Sequence, residues 1–137
     1  QNMNTQPQLQ VSITLDPRRN RIRIHRQTLH SLGDPAYVQF LVNPEELYIA
    51  VLGSDKPVVG GTANKVRLST DSFSTSQSVE FYSATMMNRL LDVVGGFDLR
   101  FSYLLTGEID QINRVAYFSL KTARQAVSRR PHGREGI

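Results

Sequence analysis

A chain of 137 residues, 39% hydrophobic and 20% charged, has the length of about one domain and the composition of a sequence that folds. With no cysteine it has no disulfide framework, zinc ribbon or thiol nucleophile. No run of about 18 apolar residues occurs, and the opening stretch QNMNTQPQLQ lacks the charged and apolar regions of an export signal, so the chain reads as cytoplasmic.

The net charge of +4 is unevenly spread. Residues 1–30 and 121–137 hold ten basic groups against two acids, and residues 31–120 hold six against ten. Thirteen of the sixteen cations are arginine, whose planar donor fork suits phosphate oxygens and carboxylates. A clustered arginine surface is the electrostatic footprint of a polyanion binder.

Residues 1–8 are polar, contain Pro7 and read as a disordered tail. Strict alternation then begins, with Leu9, Val11, Ile13 and Leu15 on one side, the period of a half-buried strand. Asp16-Pro17 stops it, and alternation resumes with Ile22 and Ile24 facing inward and Arg21, Arg23 and His25 outward. The two segments predict a hairpin with Arg18 and Arg19 at its tip. Gln27–Leu32 reads as a short helix ended by Gly33. Tyr37–Val42 and Leu47–Leu52 read as a second hairpin, turned at Asn43-Pro44.

Residues 53–64, with Pro57, Gly60 and Gly61, read as a loop inside the chain. A strand over Lys65–Ser69 and another over Val79–Tyr82 follow, then a helix over Ala84–Val94 capped by Ser83 and ended by Gly95-Gly96. Leu99–Leu105 and Val115–Leu120 read as strands. Lys121–Arg130 reads as a basic helix stopped by Pro131, and residues 129–137 as a basic disordered tail.

Strand, helix ended by glycine, strand, turn and strand thus occur twice in the same order. The fold expected over residues 9–128 is a single strand-rich α+β domain of two β-α-β-β units, about 9–52 and 65–120. Two small units leave strand edges open, so sheet pairing between subunits and a homo-oligomer are expected.

The stretch Ile13-Thr14-Leu15-Asp16-Pro17-Arg18-Arg19-Asn20-Arg21-Ile22-Arg23-Ile24, with the helix and strand pair after it, resembles the swapped-hairpin DNA-binding domain of AbrB-type regulators. Two units in one chain look most like the MraZ branch. That family opens the second strand with an Asp, a basic residue, a Gly and an Arg; Asp16 and Arg21 match, and Asn20 stands where Gly is usual. The resemblance implies an oligomer whose basic hairpin surface contacts double-stranded DNA, as in a transcriptional regulator, which here assigns Arg18, Arg19, Arg21, Arg23 and Arg26. A second resemblance, over Phe81–Ala84, the following helix, residues 96–99 and Val115–Leu120, is similar to the repeat of DNA sliding clamps and implies an oligomeric scaffold without sequence readout.

No constellation argues for an enzyme, a cofactor, a metal or a small-molecule substrate. His25 and His30 are five apart without a ligand motif, and Glu45-Glu46 lie in a turn. The glycine pairs lack the Lys-Ser/Thr of a phosphate loop. Tyr37, Phe40 and Tyr48, set in apolar strands, read as core aromatics.

Overall fold

A computed structural model describes residues 9–57, 63–66 and 78–126. The first hairpin forms as its alternation demands. Strand β1 (Leu9–Asp16) pairs with β2 (Arg21–His25) across a 3-10 turn, Pro17–Arg19. Proline opens the turn, and Asn20 closes it in the left-handed conformation (φ 55°) that asparagine tolerates better than most residues. Ile13, Leu15, Ile22 and Ile24 are fully buried, which fixes the register, since a slip of one residue would send them all to solvent.

Helix α1 (Arg26–Ser31) leads through Gly33 (φ 87°) to β3 (Tyr37–Asn43) and β4 (Tyr48–Ser54). A short β5 (Asn64–Lys65) and β6 (Ser78–Tyr82) come next. Helix α2 (Ala84–Val93) starts where Ser83 Oγ accepts from the Met86 N–H at 3.1 Å, as its cap position predicts. Strands β7 (Tyr103–Asp110), β8 (Val115–Ser119) and β9 (Arg124–Gln125) follow.

The nine strands of the described residues belong to one antiparallel sheet in the order β5-β3-β4-β8-β7-β1-β2-β6, with β9 on β7. The sheet curls until its ends nearly meet: the rings of Phe40 on β3 and Phe81 on β6 pack edge to face, 5.5 Å apart. Inside lie the inward faces of the strands, with Leu29 and Leu32 from α1 and its end, and Met87 and Leu90 from α2. The architecture is strand-rich α+β, as expected.

Several pairings occur twice. β1 lies on β7 as β5 lies on β3, and the hairpins β3–β4 and β7–β8 turn alike. Asn43 and Asp110 each cap their turn by a side-chain oxygen that accepts backbone N–H groups. Leu47 and Arg114 end the turns with φ of 58° and 55°. The Gly53 N–H donates to the Arg114 carbonyl at 2.9 Å and the Leu120 N–H to the Leu47 carbonyl at 2.8 Å, a reciprocal pair across β4 and β8.

Two expectations are corrected. Residues 121–126 do not form the start of the α-helix expected there: a 3-10 turn (Leu120–Thr122) leads into β9, because the edge of β7 before Gly107 is left free by β8 and takes Arg124-Gln125 instead. Leu99 and Arg100 form a turn and Phe101 a bend, since Asp98 binds the backbone and guanidinium of Arg100 there and delays the strand to Tyr103. Among the described residues each strand pairs with another strand of the same chain. The tails at 1–8 and 129–137, much of the strand expected over 65–69, and 58–62 of the loop lie outside the described residues.

Candidate nucleic-acid interface

Alternation puts the side chains of Thr14, Asp16, Arg21, Arg23, Glu80 and Tyr82 on the outer face of β1, β2 and β6. Asp16 organises the hairpin tip. Its carboxylate is 6% exposed, and its Oδ2 accepts from Arg19 Nη1 and Arg21 Nη2, both at 2.9 Å. Across the face Arg23 donates through Nη2 to Glu80 Oε2 at 2.7 Å, and Arg21 Nη1 stands 3.5 Å from the same oxygen. Partial burial works against the charge on Glu80, but hydrogen bonds from Arg23 and Tyr82 and the charges of Arg21 and Arg23 outweigh it and hold the carboxyl below the usual range.

The five arginines assigned from sequence are therefore not equivalent. Arg18 is exposed at the tip and makes no hydrogen bond or ion pair among the described residues. Arg19 is 54% exposed despite its carboxylate partner, whereas Arg21 and Arg23 are 21% and 38% exposed and spend their charge largely on Asp16 and Glu80. Arg26 opens α1 beyond His25, at the other end of β2, about 16 Å from Arg21 at the rise of a strand. The fold does not bring it to the tip, and its Nε is enclosed without a hydrogen-bond partner among the described residues.

Strand β9 adds a cation that local sequence assigned to a helix. Register places Arg124 opposite Leu104, Leu104 opposite Thr14, and Thr14 opposite Arg23, so one row across the sheet carries Arg124, Arg23 and Glu80. Three strand spacings separate the two arginines, about 14 Å. At the same end Arg100 binds Asp98 through Nη2 at 2.8 Å. Those hydrogen bonds, before its charge, hold the Asp98 carboxyl down to about 2. Exposed Tyr82, Leu99 and Phe101 lie among these charges, Arg100 over the ring of Phe101 at 5.6 Å.

The carboxylates that pair with these arginines, Asp16 and Glu80, are what the sequence reading did not assign to the face. Asp16 enters the sequence reading as a strand stop and as a match to the family's opening pattern, not as a partner of the arginines, and Glu80 meets Arg23 from 57 positions away, a separation that carries no local signal.

No protein-family model, no curated protein and no solved structure matches the chain. Among the described residues no helix is long and apolar enough to cross a membrane, and no group of three or more His, Asp or Glu side chains is arranged to hold a metal.

Proposed function

We propose that the chain consists of two β-α-β-β units around one core and binds double-stranded DNA in the cytoplasm, without catalysis, through the end of the sheet that carries Arg18 and Arg19. The doubled pairings and the reciprocal bonds between β4 and β8 support the two units. Asn20 supports the resemblance to swapped-hairpin regulators, because it adopts a left-handed conformation that glycine, usual at that place in the family, takes without strain. The observation that carries the DNA reading is convergence: the hairpin tip and the start of the basic C-terminal segment, far apart in sequence, meet at one end of the sheet through β7. Arg18, Arg19, Arg21, Arg23, Arg100 and Arg124 there outnumber Asp16, Glu80 and Asp98.

Phosphate contact is the first task of such a surface; it supplies affinity and fixes register. Binding to a duplex of about 20 base pairs should weaken with salt, the logarithm of affinity falling by about 0.9 per phosphate contact per decade. Arg18→Ala/Arg19→Ala should flatten that slope by roughly two while the protein stays folded. An unaltered slope, or no binding by the unmutated chain at low salt, removes the tip from the mechanism.

Glu80→Gln separates charge from stability. Its ion pair is partly exposed, so the loss should cost less than about 1 kcal/mol. Arg21 and Arg23 are then released toward phosphate, so affinity for the same duplex should rise and its salt slope steepen by about one. Unchanged affinity and slope with the fold intact would show that this face does not meet DNA.

A further inference from the structure

On the outer face of the sheet, at the far end of β1 from the arginine tip, an open groove of about 570 Å³ is lined by Gln10, Glu46, Tyr48, Thr106, Glu108 and Tyr117. Its chemistry is the complement of the tip. Tyr48, read from sequence as a core residue, instead faces outward and meets Tyr117 edge to face with ring centroids 5.5 Å apart. Glu108 stands directly opposite Tyr117 across β7 and β8, and Glu46 reaches the groove from the β3–β4 turn. Neither glutamate makes an ion pair among the described residues. Two exposed carboxylates beside two phenol rings make a seat for guanidinium groups, which pair with the first and stack over the second.

We infer that this groove receives the Arg18–Arg19 tip of a second copy of the chain. The tip offers two exposed guanidiniums on a protruding turn, and the groove offers two unpaired carboxylates. The tip cannot fill the groove of its own chain: Gln10 and Asp16 lie six residues apart on one strand, about 20 Å. The contact is therefore intermolecular and joins unlike surfaces. Such contacts repeat head to tail, and an open assembly keeps a free tip at one end and a free groove at the other. A small, charged contact is weak and salt-sensitive. DNA and the groove then compete for the same arginines, so the inference goes beyond the proposed function and does not rest on it.

Sedimentation velocity of the full chain tests it. At about 50 mM salt and up to about 100 μM protein the unmutated chain should associate progressively, and at about 0.5 M salt it should disperse. Glu46→Gln/Glu108→Gln and Arg18→Ala/Arg19→Ala should each remain monomeric with unchanged thermal melts, because all four side chains are exposed. Mixed in equal amounts, the two variants should form a heterodimer and nothing larger, since the mixture holds one good groove and one good tip per pair. Association of the Glu46→Gln/Glu108→Gln variant equal to that of the unmutated chain, a mixture that stays monomeric, or an unmutated chain that never associates at low salt would each overturn the contact. The Glu46→Gln/Glu108→Gln variant also separates the two readings: it keeps the tip, so it should still bind the duplex, and failure to bind would count against the DNA interface alone.

Discussion

Gly107→Ala is expected to destabilise the protein by about 3 kcal/mol or more, lowering the melting temperature by roughly 10 °C. Gly107 sits inside β7 opposite Phe118. A Cβ there would collide with the Tyr117 carbonyl oxygen and stand 2.7 Å from the Tyr117 carbonyl carbon and 2.8 Å from the Phe118 Cα. All three are backbone atoms, so no rotamer change relieves the clash; β8 has to move away from β7. The close approach belongs to the place where β7 changes partner. β8 pairs with it only from Gly107 onward, β9 takes Tyr103 and Leu104, and between them the Thr106 N–H donates to Thr122 Oγ1 at 3.0 Å. A glycine inside a strand marks this kind of sharp bend. Gly95→Ala is the control, with nothing within 4 Å of the added methyl, and should change stability by less than about 0.5 kcal/mol. Equilibrium urea unfolding of both variants reads the difference, and a Gly107→Ala loss below about 1 kcal/mol would contradict the strand approach described.

The sequence foretold what short-range physics controls. Alternation through residues 9–25 placed Ile13, Leu15, Ile22 and Ile24 in the core and the arginines outside, because a strand with one buried face has a period of two and no alternative register. Asn43-Pro44 and Ser83 acted locally, one capping a turn and the other a helix. What stayed hidden depends on partners distant in sequence. Nothing in Lys121–Arg130 reveals that β8 leaves part of the β7 edge vacant, and a basic stretch with spaced apolar residues suits a helix until that edge claims it. Nor did the outward turn of Tyr48 show, since the alternation of β4 is blurred where Ile49, Ala50 and Val51 are all buried. The candidate interface was legible as charge but not as pairing: five arginines were visible, and the carboxylates that silence two of them were not.

Asp16→Ala should cost about 2 to 3 kcal/mol, the second large effect. Among the described residues Asp16 is the one buried charged residue, and its single oxygen Oδ2 holds both Arg19, across the 3-10 turn, and Arg21, at the start of β2. Without it Arg21, 21% exposed, keeps only the longer contact to Glu80 at 3.5 Å. Arg19 loses its tether and turns to solvent, so its share of the loss is small. The turn itself should open: hydrogen exchange at the Asn20 N–H, bonded to the Pro17 carbonyl, and at the Ser83 N–H, bonded to the Asn20 carbonyl, should accelerate more than at the β3–β4 ladder. A stability change below about 0.5 kcal/mol would mean that the tip stands without its carboxylate. Comparison with Glu80→Gln then decides how the tip meets DNA. Each substitution deletes one negative charge facing Arg21, but only the loss of Asp16 releases the geometry of Arg18 and Arg19. Severalfold weaker duplex binding by Asp16→Ala beside tighter binding by Glu80→Gln is the expected pair of results. If both variants bind more tightly, the count of charges governs the interaction and the fixed shape of the hairpin does not.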